Sequence, residues 1–469
     1  MRLTGTDRGR LLFVLALATA VAVFTATVPL LRDWFDLRVY HGAVDAWIHH
    51  GGSVYDYRVP GTEYGFTYPP FAAVSMLPMA LLPLHAAIAA GLLLNLAATA
   101  FVLRVLYVLA GERLRRHGWF GLAVTVCLLA LLEPVRDTFS FGQVNLVLLA
   151  LVLGDAWLLS TGRARWAGVG IGLAAAIKLT PAIFIVLLLL ARRPRTAGTA
   201  VGVAAAATAL AAWVMPGASR FYWTEAVWDT TRIGRLDYVS NQSLQGVLAR
   251  LADPGEPSRA AWALAALAVL GVWVWRARRA LAAGDVLGAF ALTGLAACLL
   301  SPITWVHHLV WLLPSLAILF GEGLRRRRLL WIAGGLYVLL CSSVVWLWFD
   351  DASGIDGFVG SNTYVWITLG LLLGLPVGQA RVNRPPWRRR ASDTAPAPSP
   401  AAPARVPASA SQPAEPSSTA MAAGTTVGPA VDTRRGGRSE PTGSTRPAAP
   451  KPQSSSERAS SYTVNPPPA

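Results

Sequence analysis

Charge is scarce in this chain and cysteine is nearly absent. Only 14% of the 469 residues are charged against 54% hydrophobic, and mean hydropathy is +0.47. A water-soluble domain carries roughly a quarter charged residues, so lipid is the expected main solvent. The three cysteines, Cys127, Cys298 and Cys341, lie far apart inside apolar runs, which argues against a disulfide framework and against a metal cage. No P-loop, Rossmann glycine fingerprint or GxSxG stands in a suitable context, and HExxH is missing. Intracellular nucleotide chemistry and zinc are therefore disfavoured, and neither a cofactor nor a metal is expected. Lysine is missing from the first 390 residues except at Lys178.

What is present is apolar and interrupted at intervals by arginine. The formal charge of +16 would suit nucleic acid if it were spread over one surface, but most basic residues form short blocks between apolar runs or sit in the tail. That is the pattern of membrane topology. A helix needs about 20 apolar residues to cross the hydrocarbon core. Candidate runs lie near 11–31, 84–109, 119–133, 143–160, 166–191, 197–215, 260–275, 284–300, 306–321, 329–349 and 363–380. The expected fold is an all-α polytopic membrane protein with roughly 10 to 13 spans and exported loops. The run at 11–31 follows Arg2, Arg8 and Arg10 like a signal peptide, yet no small-residue cleavage pattern closes it, and it reads as the first span. Segment 67–83 is broken by Pro69, Pro70, Pro78 and Pro83 and suits an interfacial or re-entrant piece.

Short cytoplasmic loops are enriched in Lys and Arg. The clusters at Arg2/Arg8/Arg10, Arg113/Arg115/Arg116, Arg163/Arg165, Arg192/Arg193/Arg195, Arg276/Arg278/Arg279, Arg325 to Arg328 and Arg381 to Arg390 are placed inside on that basis, with both termini. The alternation closes only if 166–191 dips in and returns, leaving Lys178 at the outer face. Two domains follow: a membrane-embedded domain over 1–390 and a tail over 391–469. The tail is rich in Pro, Ala and Ser, too poor in large apolar residues to fold, and is expected to be disordered, with a protein partner for its proline repeats as a minor alternative.

The acidic and amide residues of the membrane domain gather in the segments assigned outside. The first loop, DWFDLRVYHGAVDAWIHHGGSVYDYRVPGTEYGFTYPPF, mixes Asp33, Asp36, Asp45 and Asp56 with histidines and aromatics such as Tyr40 and Tyr68. Aromatic faces with carboxylates suit sugar binding. Asp36 stands at the membrane boundary, where partial desolvation favours a general base; the alternative is a solvated loop acid. Lys178 interrupts AAAIKLTPAIF, and an ionisable residue within an apolar run is a functional candidate, here for a phosphate, unless it snorkels to the interface. Arg136 is a second phosphate candidate, and Gln143 and Asn145 open a helix whose free N–H groups favour an anion or a hydroxyl. His307 and His308, in SPITWVHHLVW, point about 100° apart on a helix, so one faces the site while the other packs. Asn241 and Gln242, in YVSNQSLQGVL, suit acceptor hydroxyls and equally suit loop capping.

Taken in order, FDLRVYHGAVDAW, TYPPFAAVSMLP, SFGQVNLVLLALVLGDAW, AAAIKLTPAIF, SNQSLQGVLAR and SPITWVHHLVW make the chain resemble glycosyltransferase family 87, the polyprenol-phosphate-mannose-dependent mannosyltransferases of the membrane-embedded GT-C superfamily. The resemblance implies a GT-C-type bundle, Asp36 as catalytic base, and His307 and His308 beside the donor. Val306 stands where the family often has a polar residue. It further implies inverting α-(1→2) transfer from a polyprenyl-phosphate sugar to a glycolipid or lipoglycan acceptor at the outer face of the cell membrane, with membrane lipid as surroundings and no nucleic acid. Asp45, Tyr40, Tyr68, Asn241 and Gln242 are the acceptor-side candidates. A polyprenyl-phosphate-arabinose donor is the nearest alternative, and a multi-helix transporter or flippase the alternative of another class.

Overall fold

A computed structural model describes residues 6–27, 32–110 and 118–378. The tail after Arg390, the cluster Arg113/Arg115/Arg116 and the run from Arg381 lie outside the described residues. Helix follows helix, with no strand among the described residues beyond one isolated bridge between Arg58 and Gly65. Helices of this kind satisfy every backbone polar group internally, which is what a segment in hydrocarbon requires.

Among the described residues, five helices are long and apolar enough to cross a membrane: Asp7–Thr27, Leu84–Leu109, Pro194–Val214, Arg259–Ala282 and the composite Val306–Gly323. Gly118–Leu131 and Glu133–Phe141 form a further pair, bent by 68° where Pro134 follows the break. The chain is a multi-pass membrane protein whose apolar side chains face outward. Leu264 and Leu267 are 69% and 64% exposed, a placement that only a lipid solvent makes favourable. The other apolar runs form shorter helices, Asn145–Ser160, Ala164–Ile177, Thr180–Leu190, Val286–Leu300 and Thr363–Gly374. Val286–Leu300 is buried on all sides from Leu287 to Leu299, so protein surrounds this apolar helix.

Segment 166–191 turns back on itself. Val169–Ile177 ends at Lys178, a short 3₁₀ turn covers Thr180–Ala182, and Ile183–Leu190 leads away. A side-chain carbon on Gly168 would touch Thr196 and Ala200, and one on Gly172 would touch Ala200 and Val203. Val169–Ile177 and Pro194–Val214 therefore run parallel, and Ile183–Leu190 must return between them to the end where the segment began. Segment 67–83 contains a short helix, Pro70–Ser75, and a 3₁₀ turn, Leu77–Leu81, neither long enough to span.

Above the bundle lies a second apolar cluster built from Tyr40, Val44, Tyr55, Phe66, Tyr68, Met215 and Tyr222. Its main element is the helix Phe35–His50, whose start is strained: Asp33 and Trp34 both have positive φ, at 49° and 48°. Trp34 N–H donates to Ser140 O at 2.9 Å, tying the turn to the end of Glu133–Phe141. That end closes on Gly142, which has φ 71°, and a β-carbon there would lie 2.6 Å from Leu37 Cβ. Gly142→Ala should therefore add backbone strain to overpacking and lose about 2–4 kcal/mol. Gly162→Ala, at φ 80° with nothing within 4 Å, should lose only the backbone share. Thermal unfolding of the two variants side by side checks this; equal shifts would mean that Leu37 and Gly142 are not in close contact.

Candidate active site

The tip of the broken hairpin meets four other elements beneath the Phe35–His50 helix. Because the backbone leaves helical geometry at Lys178, with φ −147° and ψ 131°, its side chain points across the bundle instead of into lipid. Lys178 Nζ lies 2.7 Å from His308 Nε2, and it donates to Asn145 Oδ1 at 3.2 Å and to Tyr68 OH at 3.4 Å. The ammonium also sits 5.0 Å from the centre of the Tyr68 ring. Tyr40 OH donates to Tyr68 OH at 3.0 Å, and Tyr68 OH donates to Gln143 Oε1 at 3.0 Å. Asn145 Nδ2 reaches Gln143 Oε1 at 3.4 Å and the His307 carbonyl at 3.3 Å. With its oxygen occupied by two donors, Gln143 turns its amide N–H toward Asp36.

Asp36 stands in the first turn of its helix, one turn before Tyr40 on the same face. Its Oδ2 is enclosed and has no hydrogen-bond partner. Burial raises the carboxyl from its ordinary value to about 6, and the Gln143 hydrogen bond and the Lys178 charge hold it down from a larger rise. A carboxylate with one free, desolvated oxygen beside an amine can accept a proton from a hydroxyl placed between them. Protonated, that amine can stabilise negative charge that develops on a leaving group.

The two histidines take different positions. Trp305 N–H donates to His308 Nδ1 at 3.1 Å, which aims His308 Nε2 at Lys178. His307 packs at a tilt against Phe141, ring centres 5.2 Å apart and planes at 58°, and its Nε2 is enclosed without a partner.

Asp36, Lys178, Gln143, Asn145, His307, His308, Tyr40 and Tyr68 are thus brought together, while four other candidates are not. Arg136 donates to Leu131 O at 2.7 Å, Cys341 O at 3.4 Å and Ser343 Oγ at 3.1 Å, pinning the bent pair to the following helices. Asn241 gives its amide to Leu236 O and Pro302 O and takes Thr304 N–H. Gln242 gives its amide to Val239 O and Ser361 O and takes the N–H groups of Tyr364 and Val365. Both amides are fully buried and fully committed to backbone, so they clamp loops and have no capacity left for a sugar hydroxyl. Asp45 follows Asp36 by nine residues, about half a helical turn out of phase, and its carboxylate lies 3.6 Å from the exposed His50 ring.

Sequence reasoning misses Asn95. This residue donates to the Gln143 carbonyl at 3.0 Å and fixes the loop that carries Gln143 and Asn145. The signal that could have found it is a lone amide in the long apolar run Leu84–Leu109.

The sequence profile of glycosyltransferase family 87 matches residues 66–302, which contain the Tyr68, Gln143, Asn145 and Lys178 part of this cluster. The chain belongs to glycosyltransferase family 87. Among curated relatives, it is 37% identical over 367 residues to a polyprenol-phosphate-mannose-dependent alpha-(1-2)-phosphatidylinositol mannoside mannosyltransferase of Mycolicibacterium smegmatis, covering 72% of this chain and 82% of that one. The protein of the same description from Mycobacterium tuberculosis is 35% identical over 307 residues, 62% of this chain and 71% of that one. A phosphatidylinositol pentamannoside mannosyltransferase of M. smegmatis is 36% identical over 348 residues, with 72% and 82% covered. No solved structure matches. As a family 87 member the chain is a membrane glycosyltransferase, and the Asp36–Lys178 cluster is its candidate active site.

Proposed function

We propose that this glycosyltransferase moves a mannosyl unit from polyprenyl-phosphate mannose to a phosphatidylinositol mannoside-type glycolipid, forming an α-(1→2) bond with inversion at the anomeric carbon. The observation that carries the reading is the free, enclosed Asp36 Oδ2 beside Gln143 and the Lys178 ammonium. Asp36 removes the acceptor hydroxyl proton, the oxygen bonds to the anomeric carbon, and the bond from that carbon to the phosphate oxygen breaks. Polyprenyl phosphate leaves with the electron pair. Phosphate needs no proton to depart, so the remaining work is positioning and neutralising charge. Lys178 supplies the charge, and Asn145 and Tyr68 accept its N–H groups. Tyr40, Tyr68 and His307 line the acceptor and donor sugars.

The same reading puts the site at the outer face of the cell membrane with both termini in the cytoplasm. Arg163, Arg165, Arg192 and Arg193 flank the hairpin at the end opposite Lys178, where the positive-inside rule places cytoplasm. A lipid-linked donor suits a site at a membrane face, since its tail remains in hydrocarbon.

Membranes containing the protein, supplied with radiolabelled polyprenyl-phosphate mannose and phosphatidylinositol mannoside, should form a labelled lipid one α-mannose larger. Label transferred only from polyprenyl-phosphate arabinose would replace mannose in this reading. Transport of either lipid without transfer would overturn it.

A further inference from the structure

Arg32 stands where the chain leaves the first membrane helix, four residues before Asp36. Its guanidinium lies over two rings, 5.9 Å from the centre of Phe141 and 5.2 Å from that of Trp346. Stacking covers the planar faces and leaves the edge, where the N–H donors are. Yet Nε is enclosed without a partner, and among the described residues no carbonyl or carboxylate takes a hydrogen bond from this guanidinium. Arg250 and Arg276 are used differently, each donating to carbonyl oxygens, whereas Arg136 shares an enclosed, unpartnered Nε but has its other nitrogens on Leu131 O and Ser343 Oγ. Asp137 lies close enough to interact electrostatically with Arg32 but forms no salt bridge with it among the described residues. An enclosed N–H without an acceptor is unfavourable by about 1–3 kcal/mol, so such a group calls for a ligand.

The surroundings say which kind. The Phe141 ring beneath Arg32 packs on His307, whose Nε2 is also enclosed and unpartnered, and Phe35 N–H donates to Arg32 O at 3.1 Å, joining Arg32 to the turn that presents Asp36. The idle donors of Arg32 and the idle groups of Asp36 and His307 thus belong to one contiguous region. A guanidinium fork at a membrane boundary fits two oxygens of a phosphate, where a lysine offers only a point charge.

We propose that Arg32 binds the phosphate of a lipid substrate, as a second anion contact distinct from Lys178. The inference rests on the lipid-phosphate transferase reading above. Either the monophosphate linkage of the polyprenyl donor or the phosphodiester of a phosphatidylinositol-type acceptor carries this chemistry.

The test is equilibrium binding to the full-length protein in phosphate-free detergent, with radiolabelled polyprenyl phosphate and phosphatidylinositol mannoside as separate probes. Arg32→Met keeps a stem between the rings and removes the charged fork. It should weaken one probe by at least about tenfold, the scale of a lost charged hydrogen bond, and leave the other within about twofold. The weakened probe names the source. Arg32→Lys, which keeps the charge but not the fork, should fall between wild type and Arg32→Met, and it carries the test with a loss of about threefold or more should Arg32→Met fail to accumulate. Unchanged binding of both probes in the folded variants overturns the proposal while leaving the transferase reading intact. Wild-type protein that binds neither probe overturns both.

Discussion

Asp36→Asn is expected to lower glycosyl transfer by about 10²- to 10⁴-fold, the range for loss of a positioned general base, with little change in binding of the lipid donor. Asparagine keeps the shape and can still meet Gln143, so the turn at Asp33 and Trp34 has no reason to rearrange. What it loses is the free basic oxygen. Asp33 and Asp45 serve as internal comparisons, because Asp33 pairs with Arg38 at 2.6 Å on the surface and Asp45 faces away beside His50. Their asparagine variants should stay within a few-fold of wild type. The carboxyl of Asp36 stands at about 6, and only its ionised form accepts a proton. Wild-type kcat/KM should therefore fall as pH drops through about 6. Near-normal transfer by Asp36→Asn, or an unaltered acid limb in its residual activity, would assign the base elsewhere.

The second large effect is expected at Lys178. Lys178→Met fills similar space without charge and removes the amine that donates to Tyr68 and Asn145 and contacts His308. If the ammonium meets phosphate in both the bound donor and the transition state, kcat/KM for the donor should fall by about 10²-fold, from the ~2–3 kcal/mol of a charged hydrogen bond, with KM raised as well as kcat lowered. The charge also holds the Asp36 carboxyl down, so the acid limb of any residual activity should move to higher pH. A mutant with unchanged donor KM and an unmoved acid limb would make Lys178 a packing residue.

How far the site was legible depends on what each residue type can reveal alone. Lys178 was visible because a lone lysine in an apolar run has few structural excuses, and Asp36 because an acid at a membrane boundary is conspicuous. Asn241, Gln242 and Arg136 looked equally polar in equally suggestive segments. Asn241 and Gln242 bond to backbone as distant as Ser361, and Arg136 bonds to Cys341 O and Ser343 Oγ, pairings that no local pattern encodes. Arg32 escaped notice for the opposite reason. A single arginine beside a membrane helix reads as ordinary flank, and only its two aromatic neighbours, Phe141 and Trp346, both remote in sequence, make it unusual. The helical, membrane-bound character was plain from hydropathy. Burial of runs such as Val286–Leu300 inside the bundle was not, since a helix surrounded by protein and one surrounded by lipid have the same apolar composition.

The returning hairpin has a consequence for biogenesis. Because Val169–Leu190 starts and finishes at one end of the bundle, it adds nothing to the parity of membrane crossings. The sidedness inherited by each later segment does not depend on whether the insertion machinery accepts, delays or rejects it. The stretch carrying Lys178 can be threaded in after its neighbours have set their orientation, and it can lengthen or shorten over evolution without inverting the helices downstream. Pro194–Val214, long and apolar enough to cross, has no such freedom.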